Sequence, residues 1–138
     1  MQVNPYLFFN GQCEEAFKFY AQTLGGTLDA LMPHAGSPME AEVPPEWRHK
    51  IMHAHLSLGE WAVMGSDCPP DQYEVPTGFS VSLQIPDPDE ADRVFNAFAA
   101  DGTVQMPLQE TFWALRFGMV IDRFGTPWMI NCDHPAQA

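Results

Sequence analysis

The chain has 138 residues, a mass of 15.5 kDa and 46% apolar residues, which fits one folded domain and argues against disorder. Eighteen acids against six bases give a net charge of −12, a poor match for nucleic acid or an anionic membrane. Cys13, Cys68 and Cys132 make neither a disulfide framework nor a CxxC knuckle, and they suit a reducing cytoplasm.

The opening MQVNPYLFFNG has no basic stretch of the secretory type, so no signal peptide is expected. No apolar run approaches the roughly 20 residues that span a bilayer. Residues 5–9 read as a short apolar strand. Residues 13–24 read as a helix with Ala16, Phe17, Tyr20 and Leu24 on one face, Glu14 and Glu15 in its first turn, and Gly25-Gly26 at its end. Cys13 begins that helix, where the dipole lowers a thiol pKa, but no basic partner marks it as a nucleophile. A weaker strand covers 27–32, and 33–49 is a proline-containing loop. Residues 51–58 and 61–64 form a hairpin about Gly59-Glu60. The stretch from Ser66 to Pro76, with Pro69 and Pro70, reads as a linker.

A strand over 78–85 then leads to the clearest helix. Asp87-Pro88-Asp89-Glu90 supplies an N-cap, a proline at the first helical position and a capping-box glutamate. Ala91, Val94, Phe95 and Phe98 recur on one face, and Gly102 suits a left-handed C-terminal cap. Strands over 103–106, 115–121 and 127–132 follow, the last two joined by residues 122–126. The order strand, helix, three strands therefore occurs twice. Glu15-Ala16 recurs as Glu90-Ala91, and Gly26-Thr27 as Gly102-Thr103. This predicts an α+β fold in which two βαβββ modules form curved mixed sheets around a cup. Within a single domain over 1–138, the modules are expected at about 1–66 and 77–138, with the linker at about 67–76.

Three segments carry a family resemblance: PYLFFNGQCEEAFKFYAQTLGG (5–26), IMHAHLSLG (51–59) and MPLQETFWALRFGMVIDRFGTPWMINC (106–132). They resemble the vicinal oxygen chelate superfamily, which includes glyoxalase I, extradiol dioxygenases, and fosfomycin- and bleomycin-resistance proteins. The run PLQETFW followed by FG-x-x-x-D-x-FG-x-x-W resembles its PhnB-like branch in particular. The name 3-demethylubiquinone methyltransferase travels with that branch. The sequence offers it no support, because no glycine-rich loop joins a strand to a helix with an acid downstream.

The metal-dependent relatives hold a divalent ion with histidine, glutamate or glutamine from four strands, two in each half. Carried over, those positions fall on Pro5, Met64, Ser80 and Met129. Neither proline, thioether nor neutral serine suits a hard cation. The expectation is therefore no metal and no other cofactor. His53 and His55 share one face of a strand, either lining the cup as ligand-binding or acid–base groups, holding a non-standard metal, or acting as ordinary strand histidines. His34, His49 and His134 read as solvated. Arg116 lies in a mostly apolar strand, with Gly118 leaving room beside it. It either binds an anionic group or pairs with a carboxylate such as Glu110 or Asp122. Trp113 in QETFWA suits an aromatic lid or a dimer contact. The tryptophans and phenylalanines together suggest an aromatic-rich interior.

Three functions fit these residues. The first is a metal-independent small-molecule-binding protein, with Ser80, Met64 and Met129 added to His53, His55, Arg116 and Trp113 as the lining. The second is a glyoxalase-type lyase or isomerase using His53, His55 and Arg116. The third is a non-catalytic interaction protein whose cup is filled by Phe9, Met64 and Met129. In each case the expected partner is a second copy in a homodimer, which can exchange modules, with no nucleic acid and no membrane.

Overall fold

A computed structural model describes residues 1–135. The chain divides into two compact units, Met1–Glu74 and Val75–Ala138. The divide falls inside the proline-rich stretch read as a linker. The first unit runs β1 (Tyr6–Phe9), α1 (Cys13–Leu24), β2 (Thr27–Pro33), β3 (Ile51–Leu58) and β4 (Trp61–Asp67). The second runs β5 (Val81–Gln84), α2 (Pro88–Ala99), β6 (Thr103–Gln109), β7 (Ala114–Ile121) and β8 (Pro127–Asp133). Each holds one open four-stranded mixed sheet, ordered β1-β4-β3-β2 in the first and β5-β8-β7-β6 in the second. The edge pairs β1–β4 and β5–β8 are parallel and the remaining pairs antiparallel. The α+β fold of two βαβββ units is the one the sequence predicts. The loop before β3 contains two short 3-10 turns, Glu40–Glu42 and Pro45–Trp47. Among the described residues, no helix is long and apolar enough to cross a membrane.

In each unit one face of the sheet is covered by its own helix. In the first, Leu7, Phe9, Ala54, Leu56 and Val63 are buried with Ala16, Phe17 and Tyr20 of α1. Burial of each large apolar side chain contributes about 1.5–3 kcal/mol. Phe9 packs edge-on to Phe17 with ring centres 5.9 Å apart. It therefore belongs to the helix core, so it lends no support to the third functional reading, which counted it among the side chains filling the cup. In the second unit Val94, Phe95 and Phe98 of α2 are buried with Val120, Trp128 and Ile130. Both helices depend on a strand glycine. A Cβ on Gly65 would lie 2.7 Å from Phe17 Cε1, and one on Gly118 would lie 2.8 Å from Phe95 Cε2. The room beside Gly118 is thus taken by α2, not left for a ligand.

The helix ends show two departures from expectation. Asp87 caps α2 as predicted, accepting from the Asp89 amide at 3.2 Å. However, Asp101, with φ of 59°, takes the left-handed position expected of Gly102. Gly102 is needed for closeness instead, since a Cβ there would collide with the Ile121 carbonyl oxygen and lie 2.8 Å from that of Phe98. At the other helix, Gln12 gives no side-chain cap. The buried Asp67 carboxylate does so from the end of β4, accepting from the Cys13 amide at 2.9 Å and from the Ile51 amide at 2.8 Å. One carboxylate thus ties the start of α1 to the start of β3.

Asp67→Ala strands both amides in a buried setting and should lower unfolding free energy by about 3 kcal/mol. Asp67→Asn, which keeps one acceptor oxygen, should lose less. Urea denaturation of the three proteins checks this.

Candidate functional site

The face of the first sheet away from α1 carries Tyr6 and Phe8 of β1, His53, His55 and Ser57 of β3, and Met64 of β4. Strand alternation puts them there, because their neighbours Leu7, Ala54, Leu56 and Val63 point to the helix. The register sets His55 and Tyr6 on either side of Met64. Tyr6 stacks on His53 with ring centres 5.8 Å apart, and its hydroxyl lies 3.2 Å from His53 Nδ1. His55 Nδ1 lies 3.1 Å from Asp29 Oδ2. Ser57 donates its hydroxyl to the same Asp29 oxygen. The Ser57 hydrogen bond, helped by His55, outweighs desolvation and holds the Asp29 carboxyl below the usual carboxylate range.

Asp29 reaches this cluster because β2 is irregular between Leu28 and Ala30, where the register slips against β3. A bulge of this kind re-aims a side chain. Sequence reasoning missed Asp29, Ser57 and Tyr6. The one available signal for Asp29 was an isolated acid within the apolar run TLDALM. Chemically, the cluster is an imidazole fixed by a carboxylate. It is not a nucleophile relay, because the Ser57 hydroxyl is bonded to Asp29 rather than to an imidazole.

In the second unit the face away from α2 carries Met129, flanked by Ser82 on β5 and Met119 on β7. Ser80 precedes β5, so the strand position beside Met129 belongs to Ser82. Trp113 precedes β7 and contacts Phe112 and Phe117, with ring centres 4.8 and 5.3 Å away. Phe112 and Trp61 are strongly exposed, at 89% and 70%, whereas Trp128 is fully buried. The aromatic interior expected from composition is therefore only partly interior.

Arg116 does not share a face with Met129. It pairs in register with buried Cys132, on the same side as Gly118 and Phe95. Its Nε donates to Asp92 Oδ1 on α2 at 2.9 Å, and Nη1 donates to the Leu115 carbonyl at 2.8 Å. The carboxylate-pairing alternative therefore holds, with Asp92 in place of Glu110 or Asp122. Asp122 is buried and accepts from the Phe124 and Thr126 amides and from Trp128 Nε1.

Other side chains also depart from the sequence reading. His34 is buried, with Nδ1 3.0 Å from the Lys50 carbonyl oxygen, rather than solvated. His134 is partly buried, 3.1 Å from the Thr111 carbonyl oxygen. Burial, with Asp67 and Glu14 nearby, pushes the Cys13 thiol well up, overriding the helix dipole.

In the β1–β4 register the residue paired with Met64 is Tyr6. The positions carried over from the resemblance, Pro5 and Met64 in the first unit and Ser80 and Met129 in the second, and their register neighbours Tyr6 and Ser82, supply only phenol, thioether and hydroxyl donors. This set does not fit the hard or borderline divalent ion of the metal-dependent relatives. Among the described residues, no three His, Cys, Asp or Glu side chains gather as a metal-binding group.

The fold is of the glyoxalase/bleomycin-resistance type. The family described as 3-demethylubiquinone-9 3-methyltransferase matches residues 1–131, and the chain belongs to it. Protein YjdN of Escherichia coli K12 is 36% identical over 139 residues, covering 95% of each chain. Protein PA1353 of Pseudomonas aeruginosa is 52% identical, with a TM-score of 0.89 over 96% of this chain and 98% of that one. The fold recurs in a PhnB protein from Bacillus cereus, 22% identical with a TM-score of 0.80 over 96% and 99% of the two chains. It recurs again in a glyoxylase/bleomycin resistance protein/dioxygenase domain from Frankia, 11% identical with a TM-score of 0.64 over 97% and 98%.

The Arg116–Asp92 pair is half-exposed, with side-chain exposures of 33% and 42%. Such pairs contribute at most about 1 kcal/mol. Arg116→Met should therefore melt within about 5 °C of the parent protein, and calorimetry checks this.

Proposed function

We propose that the protein binds a small organic molecule on the open face of its first sheet, without the divalent metal of its enzymatic relatives. The observation that carries this reading is the stacked Tyr6–His53 pair beside Phe8, His55 and Met64. Aromatic and thioether surface suits an apolar part of a ligand, and two half-buried imidazoles suit a polar end. The unsuitable donor set at the four metal positions supports binding without a hard cation. Arg116 is no part of this site, because Asp92 engages it.

A second reading, proton transfer of the lyase or isomerase kind, is favoured by one feature. Asp29 beside His55 Nδ1 fixes the tautomer that leaves Nε2 as base. The binding reading needs no reaction and uses more of the exposed face, so we prefer it.

Tag-free protein is melted with a panel of small aromatic and heterocyclic acids, amines and neutral compounds, and separately with magnesium and manganese. A ligand at 100 times its Kd should stabilise the fold by about 2.7 kcal/mol. Tyr6→Ala and His53→Ala should abolish that gain while folding normally. The two hard ions should leave the melting temperature unchanged. Stabilisation by either ion, or ligand binding undiminished in both variants, overturns the proposal.

A further inference from the structure

The open face of the first sheet also brackets two imidazoles with two thioethers. His53 and His55 are alternate residues of β3 and share a face. Met64 stands directly across from His55 on β4, and Met32 directly across from His53 on β2. Directly opposed residues place their Cβ atoms about 5 Å apart, within reach of a methionine side chain. Both rings are already oriented through Nδ1, His55 by Asp29 at 3.1 Å and His53 by the Tyr6 hydroxyl at 3.2 Å. A carboxylate on the far ring nitrogen is the arrangement that fixes the tautomer and raises the basicity of a metal-binding imidazole. A phenol oxygen accepts as well as donates, so Tyr6 orients His53 in the same sense. Nε2 of each ring is left to meet a ligand.

We propose that His53 Nε2, His55 Nε2 and the Met64 thioether bind one copper(I) ion, with Met32 supplying a fourth donor. The choice of ion follows from softness. Thioethers select copper(I), imidazole accepts it, and a thioether does not hold magnesium or manganese against water. The Asp29 carboxylate and a net charge of −12 favour any cation at this face. The donors all come from β2, β3 and β4 of one unit, unlike the relatives' pattern of two ligands from each half. The site shares its sheet face with the organic-ligand proposal but does not rest on it, because the ion alone is the probe.

The test uses tag-free protein carrying Cys68→Ser, since Cys13 and Cys132 are buried and Cys68 is the half-buried thiol. Under ascorbate and without oxygen, it is titrated into the copper(I)–bicinchoninate complex and the loss of colour is followed. The protein should withdraw a stoichiometric amount of copper. His53→Asn with His55→Asn should abolish withdrawal, with melting curves confirming the fold. Asp29→Asn and Met64→Leu should each weaken it about tenfold or more. The single Met64→Leu exchange keeps the test decisive should the double variant fail to fold. No withdrawal by the Cys68→Ser protein, or unchanged affinity in the folded double variant or in Met64→Leu, overturns the proposal. If the organic-ligand reading failed, the copper titration would still stand, and the converse holds equally.

Discussion

Both units depend on a phenylalanine of the helix packed against a glycine of the sheet. Phe17 meets Gly65, and Phe95 meets Gly118, at distances that admit no Cβ. Once the helix is seated there, the two-residue alternation of the strands assigns every other side chain. Ala54, Leu56 and Val63 must go inward with α1. His53, His55, Ser57 and Met64 must then face away. The chemistry of the open face is thus a consequence of packing on the opposite one. A one-residue slip of β3 would bury two imidazoles against Phe17 and expose Leu56.

Much of the fold was legible because its signals are local. The capped helix from Pro88, the Gly59-Glu60 turn and the alternation in MHAHL each decide their own conformation. The repeated order of elements then gave the two βαβββ units. What escaped was non-local. The cap of α1 comes from Asp67, more than fifty residues away in the chain, while the adjacent Gln12 supplies none. The left-handed turn after α2 fell to Asp101 because Gly102 was needed where two carbonyls crowd it.

The site was legible in part. His53 and His55 were found by their spacing, but their orienting partners were not. Asp29 enters only through an irregular β2, and Tyr6 only through a parallel pairing with β4. Arg116 shows the opposite failure. Its strand and its glycine neighbour were read correctly, yet parity alone does not say which face holds the helix. Phe95 does say it, and it places the guanidinium beside Asp92. A charge in an apolar strand is therefore best judged after the helix-facing glycine has been located.

The Asp67 carboxylate has a kinetic meaning as well as a structural one. Its two oxygens hold the amides of Cys13 and Ile51, residues far apart in sequence. Neither amide can meet solvent until that junction opens, and a single opening frees both. In hydrogen–deuterium exchange the two protons therefore report one event, the parting of the β4 end from α1 and β3. Matching exchange rates at these positions would mark the junction as one cooperative unit, detectable while the rest of the sheet stays closed.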